Sequence, residues 1–390
     1  MREAAAMAVP KAPGRDGRLD ALRGYLQLVI FASHSYGSFI GAWLIPAAWG
    51  LSDSSEQFLF LSGLALGSVF SRKRARDGLR AALLDLGLRI VRLWRTHLVV
   101  FSGFALMVLS VSLLLGMPSE VERMGFGHLL HNPLSGFAGA AVLLYQPNFQ
   151  EILPVFIWCM MLLPGFVLLL ARAGGLALIL PVLLWGAVQL WGWNLPSLGG
   201  SGIGFNPLAW QILFMTGAWI GRRALFGAGP LPGTKWITAA AILVLAGGLW
   251  FRLIEHGFLA GPAPGLGALT AKDSLGPLRL LHAFATSWIA VRVLPAAGAA
   301  IWRHPLSGAL GRIGRHSLMV FCVGLFLSYA AATLFRTTGH GWGPMQPFVL
   351  DVVLIGAGTL LLSRLARWLD RAPEGAGRPM KAPPSAVRTA

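Results

Sequence analysis

Read in windows of roughly 19 residues, the apolar stretches of this chain predict ten helices. They cover residues 22–45, 57–70, 96–116, 151–171, 175–193, 207–221, 236–254, 278–294, 316–335 and 347–364. The stretch GFAGAAVLLY, at 136–145, is too short to cross a bilayer and reads as an interfacial or re-entrant piece leading into the fourth helix. No repeat of fixed period is visible, and no pair of broken hydrophobic segments marks an inverted-repeat transporter.

The polar segments between these helices set an orientation. With the amino terminus inside, only Arg123, Arg252, Lys272, Arg279 and Arg336 of the 32 Lys and Arg residues fall on outer segments. That asymmetry is a strong positive-inside signal. The pattern therefore predicts an all-α integral membrane protein, a polytopic bundle of about ten transmembrane helices with both termini cytoplasmic, in a bacterial inner membrane. Residues 1–17 form a short cytoplasmic segment without an apolar core of signal-peptide length, so the first helix is expected to act as its own insertion signal. Residues 18–370 form the membrane domain, and 371–390, rich in Pro, Gly, Ala, Lys and Arg, read as a disordered basic cytoplasmic tail.

Composition sharpens this picture in two places. With 55% hydrophobic and 12% charged residues the chain falls outside the soluble globular class. A formal charge of +17 would suggest nucleic acid in a soluble protein, but basic loops beside an anionic inner leaflet account for it, so membrane lipid rather than nucleic acid is the expected partner. Cys159 and Cys322 each lie inside an apolar segment, which supports neither a disulfide framework nor a cysteine metal site.

Polar residues inside the apolar segments carry the candidate chemistry. On the first predicted helix Asp20, Arg23, Gln27, His34 and Ser38 fall within an arc of roughly 60° at about 100° per residue. His34 lies about 16 Å beyond Arg23 along the axis, and an intramembrane ionisable residue is a functional candidate. The competing reading is a histidine that ties two helices together. In LSDSSEQFLFLSG, Asp53 and Glu56 have capping-box spacing and equally form a carboxylate pair able to orient an imidazole or meet sugar hydroxyls. Gly63 and Gly67 downstream have the spacing of close helix packing.

Two basic runs follow. Arg72, Lys73, Arg74, Arg76 and Arg80 read as topogenic, whereas Arg89, Arg92 and Arg95, three residues apart at a membrane entry, suit a phosphate-bearing donor as well as topology. Gln146, Asn148, Gln150 and Glu151 gather at the outer entry to the fourth helix, Asn206, Trp210 and Gln211 at the sixth, and Arg279, His282 and Thr286 on one face of the eighth. Trp191, Trp193 and Trp210 suit an interfacial aromatic belt, with sugar stacking as the alternative. Arg312, Arg315, His316 and Ser317 stand at the inner start of the ninth helix. Walker A, GxSxG, HExxH and CxxC motifs are absent, and no metal site is expected.

Taken together, RLDALRG with the later His34, SDSSEQFLFLSG, YQPNFQEILPVFIW, FNPLAWQILFMTGAW, LGPLRLLH and GRHSLMVFC resemble the OpgC family of bacterial membrane proteins, relatives of the acyltransferase family 3 fold, over most of residues 18–330. The resemblance implies a ten-helix O-acyltransferase that succinylates periplasmic osmoregulated glucans. Its implied co-substrate is a cytoplasmic acyl-CoA, succinyl-CoA being the favoured donor, with no bound cofactor. By similarity His34 stands at the reaction centre with Arg23 before it. The orienting carboxylate would come from Asp53, from Glu56 or from nowhere, since Ser33 stands where many relatives carry an acidic residue. Arg89, Arg92 and Arg95, with Arg312 and His316, would face the donor, and Glu151, Asn206, Trp210, Gln211, Arg279 and His282 the acceptor. The competing function is a transporter or flippase for a glycan or lipid-linked substrate, using the same polar stripe as a pathway. A structural scaffold would leave that stripe unexplained.

Overall fold

A computed structural model describes residues 16–371 except 199, 201, 229–233, 263–264 and 339–345. The expected amino-terminal segment and basic tail therefore lie almost wholly outside the described residues. Apart from one isolated bridge between Ser197 and Gly200, regular structure in the described residues is helical. The elements are α1 (Gly17–His34), α2 (Phe39–Trp43), α3 (Ser54–Leu114), α4 (Glu120–Arg123), α5 (Gly127–His131), α6 (Pro133–Ala141), α7 (Ile152–Ala173), α8 (Ile179–Trp191), α9 (Pro207–Leu225), α10 (Thr234–Glu255), α11 (Pro277–Val293), α12 (Pro305–Arg315), α13 (Ser317–Thr338) and α14 (Gln346–Arg371).

Five helical runs among the described residues have the length and hydropathy to cross a membrane: Ser54–Leu114, Ile152–Trp191, Thr234–Glu255, Ser317–Thr338 and Phe348–Arg371. The first two each contain two predicted spans. The remaining predicted spans correspond to α1, α9 and α11, which are 18, 19 and 17 residues long and carry Asp20, Arg23, Gln27, Gln211, Arg279 and His282. Those polar residues lower their hydropathy. Exposed Trp236, Leu243 and Trp250 on α10 and Phe348, Val349, Leu360 and Trp368 on α14 leave broad apolar faces for lipid. The stretch 136–145 overlaps α6, which is nine residues long.

Three local expectations change. The first helix stops at His34 instead of running to residue 45. The chain turns through Ser35 and Gly37, whose φ of +98° is left-handed, and Ser38 then caps α2 through its Gly41 N–H at 2.8 Å. Ser38 has thus left the stripe and hydrogen-bonds Asp351 of α14 at 2.7 Å. Second, residues 71–95 are not a loop. A continuous 61-residue helix would measure about 92 Å at 1.5 Å per residue, too long for one crossing, and it breaks at Gly78, where φ is +84°. Lys73 reaches Asp85 at 2.9 Å across the break. Twelve residues of straight helix would separate them by about 18 Å, so the chain turns back here. Third, an additional helix, α12, precedes the ninth predicted span and packs antiparallel to α1, with Gly314 against Asp20 and Gly24 against Leu310.

Gly63 and Gly67 make the close contact that their spacing suggested. They face α9, whose own Gly217 and Gly221 meet Phe60 and Leu64 of α3, so each backbone lies directly on the other. A Cβ at Gly63 would fall on the Phe214 carbonyl. Gly63→Val is therefore expected to destabilise the fold by about 2–3 kcal/mol or more, in the upper range for overpacking. Thermal unfolding in detergent checks this, with Gly87→Val as a control where a Cβ meets open space.

Candidate active site

His34 is the last residue of α1. Its Nδ1 lies 2.9 Å from the Ile30 carbonyl and 3.2 Å from Ser33 Oγ, which itself donates to the Ile30 carbonyl at 3.0 Å. A carbonyl only accepts, so Nδ1 carries the proton and the neutral ring presents an Nε2 lone pair. Nε2 makes no hydrogen bond to a described residue. Backbone and Ser33, rather than Asp53 or Glu56, therefore orient the ring. These bonds stay within α1 and do not tie helices together. Phe149 packs on the imidazole at 5.1 Å between centroids, with Tyr36 at 6.5 Å.

A four-residue ion cluster adjoins the histidine. Asp53 caps α3 through Ser55 N at 2.7 Å, and Glu56 accepts from the Asp53 N–H at 2.8 Å, completing a capping box. The same two carboxylates also bind cations: Lys272 meets Asp53 at 2.7 Å, and Arg279 meets Glu56 at 2.5 Å and Asp53 at 3.6 Å. The capping reading of the acidic pair thus holds, while the carboxylates engage cations rather than the imidazole. Glu56 is fully buried, while the Lys272 side chain keeps 35% of its exposure. Lys272 and Asp53 lie within Coulombic range of the His34 ring, and Glu151, Lys272, Asp53 and Arg123 within that of Tyr36. Lys272 is the residue that sequence reasoning missed, having counted it only as an outer charge.

Beneath this cluster runs a cavity of about 920 Å³ walled by α1, α3, α7, α9 and α13. Asp20, Arg23, Arg72, Arg89 and Arg92 line it together with Phe58, Ile152, Leu153, Phe156, Met160 and Phe321. Phe58 and Arg72 are fourteen residues apart on α3, which gives a length of about 20 Å. One end carries Arg72, Arg89 and Arg92. The other is lined by Ile152 and Leu153, which follow Phe149 closely in the chain. Arg23 also donates to the Leu61 carbonyl at 3.2 Å, joining α1 to α3. His34 itself lies off the lining, two turns beyond Gln27.

Several expected site residues lie elsewhere. Arg95 does not line the cavity, because steps of three residues drift by about 60° each and turn it roughly 120° away from Arg89. Arg312 is absent from the lining, and His316 bonds Asp370 of α14 at 2.7 Å, joining two helices. Asn206, Trp210 and Gln211 are 2%, 0% and 1% exposed, too buried to meet a polymer directly. Asn206 caps α9 and donates to Trp193 O at 2.6 Å, and Gln211 donates to Pro181 O at 2.9 Å. Trp210 belongs neither to an aromatic belt nor to a sugar platform. It stacks on Phe205 and donates to Lys272 O at 3.0 Å, holding the Lys272 segment in place. His282 sits in a slot between Gly50 and Gly248, bonded to Ser52 at 2.7 Å. Glu151 remains half-buried beside the cluster, with Gly204 against its stem. Trp191 and Trp193 are exposed, in keeping with a belt.

Apolar helices long enough to cross a membrane, packed around an arginine-ended cavity, define a helical membrane protein. This chain belongs to the OpgC family: the family model described as OpgC protein matches residues 15–373. Comparison with curated proteins and with solved structures gives no match.

Proposed function

We propose that this protein is a membrane-bound O-acyltransferase that moves an acyl group, succinyl by family resemblance, from a cytoplasmic acyl-CoA to hydroxyls of a periplasmic glucan. The observation that carries the reading is the cavity itself. Its guanidinium end suits the phosphates of a CoA-type donor, its apolar length suits the thioester arm, and its other end is lined by Ile152 and Leu153, close in the chain to the Phe149 that packs on His34. In this reading the chain crosses the membrane ten times with both termini inside. The acceptor approaches past Tyr36, Glu151 and Lys272, and Nε2 takes the hydroxyl proton as the oxygen attacks the thioester carbon. The C–S bond then breaks, and the thiolate leaves with the proton returned by the imidazolium.

Mass spectrometry of periplasmic glucans tests the reading. Cells expressing the protein should carry acylated glucan, and cells lacking it should carry the same glucan unmodified at the same periplasmic level. A fall in periplasmic glucan without a change in its acylation would instead identify a transporter. Within the enzyme, Arg89→Gln and Arg92→Gln should each raise the donor KM about tenfold, the worth of one charge-assisted contact, and leave the acceptor KM unchanged. Arg95→Gln, off the cavity, should leave both near wild type. Equal effects at all three positions would reduce the run to a topological signal.

A further inference from the structure

Two buried amides in the segments that pack around His34 carry side-chain atoms without hydrogen-bond partners among the described residues. Gln27 is 2% exposed, and its Nε2 has no hydrogen-bond partner among the described residues. Gln150 is also 2% exposed, and neither its Nε2 nor its Oε1 has one. Buried polar side-chain atoms are bonded in the large majority of cases, and leaving them unbonded costs stability. Two such amides near one site therefore require a physical reason.

Their positions supply it. Asp20, Gln27 and His34 are spaced by seven residues, which aligns them to within about 20° per step on α1. Asp20 lines the cavity, so Gln27 lies on the line from the cavity to the imidazole, about 10 Å along the axis from each. Gln150 belongs to the facing segment. The preceding Phe149 packs on His34, and the nearby Ile152 and Leu153 line the cavity. Phe149 has a φ of +72°, a conformation that an L side chain adopts only under strain. Strained backbone and an unpaired amide thus adjoin one another where the cavity approaches the histidine.

We infer that Gln27 and Gln150 are the amide donors that hold the carbonyl oxygen of the acyl thioester on its way to and at His34, an assignment that rests on the acyl-transfer reading. When the sugar oxygen bonds to the thioester carbon and its proton passes to His34 Nε2, the carbonyl oxygen gains the negative charge. An N–H donor kept free of protein acceptors is prepared for that charge and needs no reorganisation when it develops. As the carbonyl reforms, the C–S bond breaks, and the thiolate takes the proton from the imidazolium. The unmade Nε2 hydrogen bonds of the resting protein are then made by the substrate.

Gln27→Leu and Gln150→Leu test this, because function and structure predict different signs. An orphaned amide replaced by an apolar side chain of similar size leaves stability unchanged or raises it. We expect unchanged or higher thermal midpoints in both purified variants. We also expect kcat per folded molecule to fall by about 10²- to 10³-fold, as on loss of an oxyanion donor, with the donor KM within about threefold. The assignment is overturned if kcat is retained, if only KM rises, or if the variants melt early or fail to fold, since the amides would then have protein partners. His34→Ala measured in parallel separates the two levels: an active His34→Ala protein removes the acyl-transfer reading itself, whereas an inactive one beside fully active glutamine variants removes this assignment alone.

Discussion

Replacing His34 by alanine is expected to lower acyl transfer by about 10²- to 10⁴-fold, the usual cost of losing a general base, while the protein inserts and folds normally. Both parts follow from the geometry. Nδ1 is tied to the Ile30 carbonyl of its own helix, so removing the ring breaks no contact between helices. Ring packing on Phe149 is the main interaction lost. His34→Gln should be equally inactive, since an amide cannot take the proton. Turnover with a defined acyl-CoA and purified glucan, alongside size-exclusion profiles, measures the two parts separately. Near-wild-type turnover in monodisperse His34→Ala would end its catalytic assignment. A collapsed profile with retained turnover would make the residue structural.

Glu56→Gln should act through stability. The carboxylate is fully buried, accepts from the Asp53 backbone and lies 2.5 Å from Arg279, whose side chain is 11% exposed. Neutralising it leaves the guanidinium with Asp53 at 3.6 Å and the Thr270 carbonyl at 3.1 Å in a site nearly closed to water. Stranding one member of a buried pair costs about 3–5 kcal/mol, enough to lower the folded yield sharply. Removing both charges in Glu56→Gln/Arg279→Met should restore part of the thermal midpoint, because no uncompensated charge remains. An unchanged midpoint in the single variant would mean that the pair contributes little to the fold. Asp53→Asn should cost less stability, since its partner Lys272 retains access to solvent.

Much of the organisation was legible along the chain because the relevant signals are local. Hydropathy marks where apolar helices lie whatever they pack against, and the ten predicted segments all correspond to helical residues. Capping at Asp53 and Glu56 spans three residues, and the small-residue spacing of Gly63 and Gly67 identifies a close-packing face without identifying α9 as its partner. The stripe Asp20–Gln27–His34 is legible for the same reason, since helical period alone aligns it. Hydropathy could not register Gly37 or Gly78, where one residue with positive φ redirects the chain inside an otherwise uniform pattern.

What each polar face meets was decided by tertiary structure. Arg279 finds Glu56 across 223 positions, and His282 finds Ser52 across 230. Periodicity places Arg279 and His282 on one face of α11, yet one joins the ion cluster while the other is enclosed between Gly50 and Gly248. Trp210 and Gln211 have the composition of a sugar site, but their donors are used by backbone carbonyls at 3.0 and 2.9 Å. Lys272 looked like a topological charge until the fold set it against Asp53 beside His34. The sequence by itself determined a helical membrane protein with a histidine-bearing first helix and an arginine-rich stretch after the second apolar segment, because hydropathy, helical period and charge patterning act over a few residues. Only the tertiary structure decided which polar groups are bonded to protein, because a hydrogen bond depends on an atom within about 3 Å, and those atoms come from segments far apart in the chain.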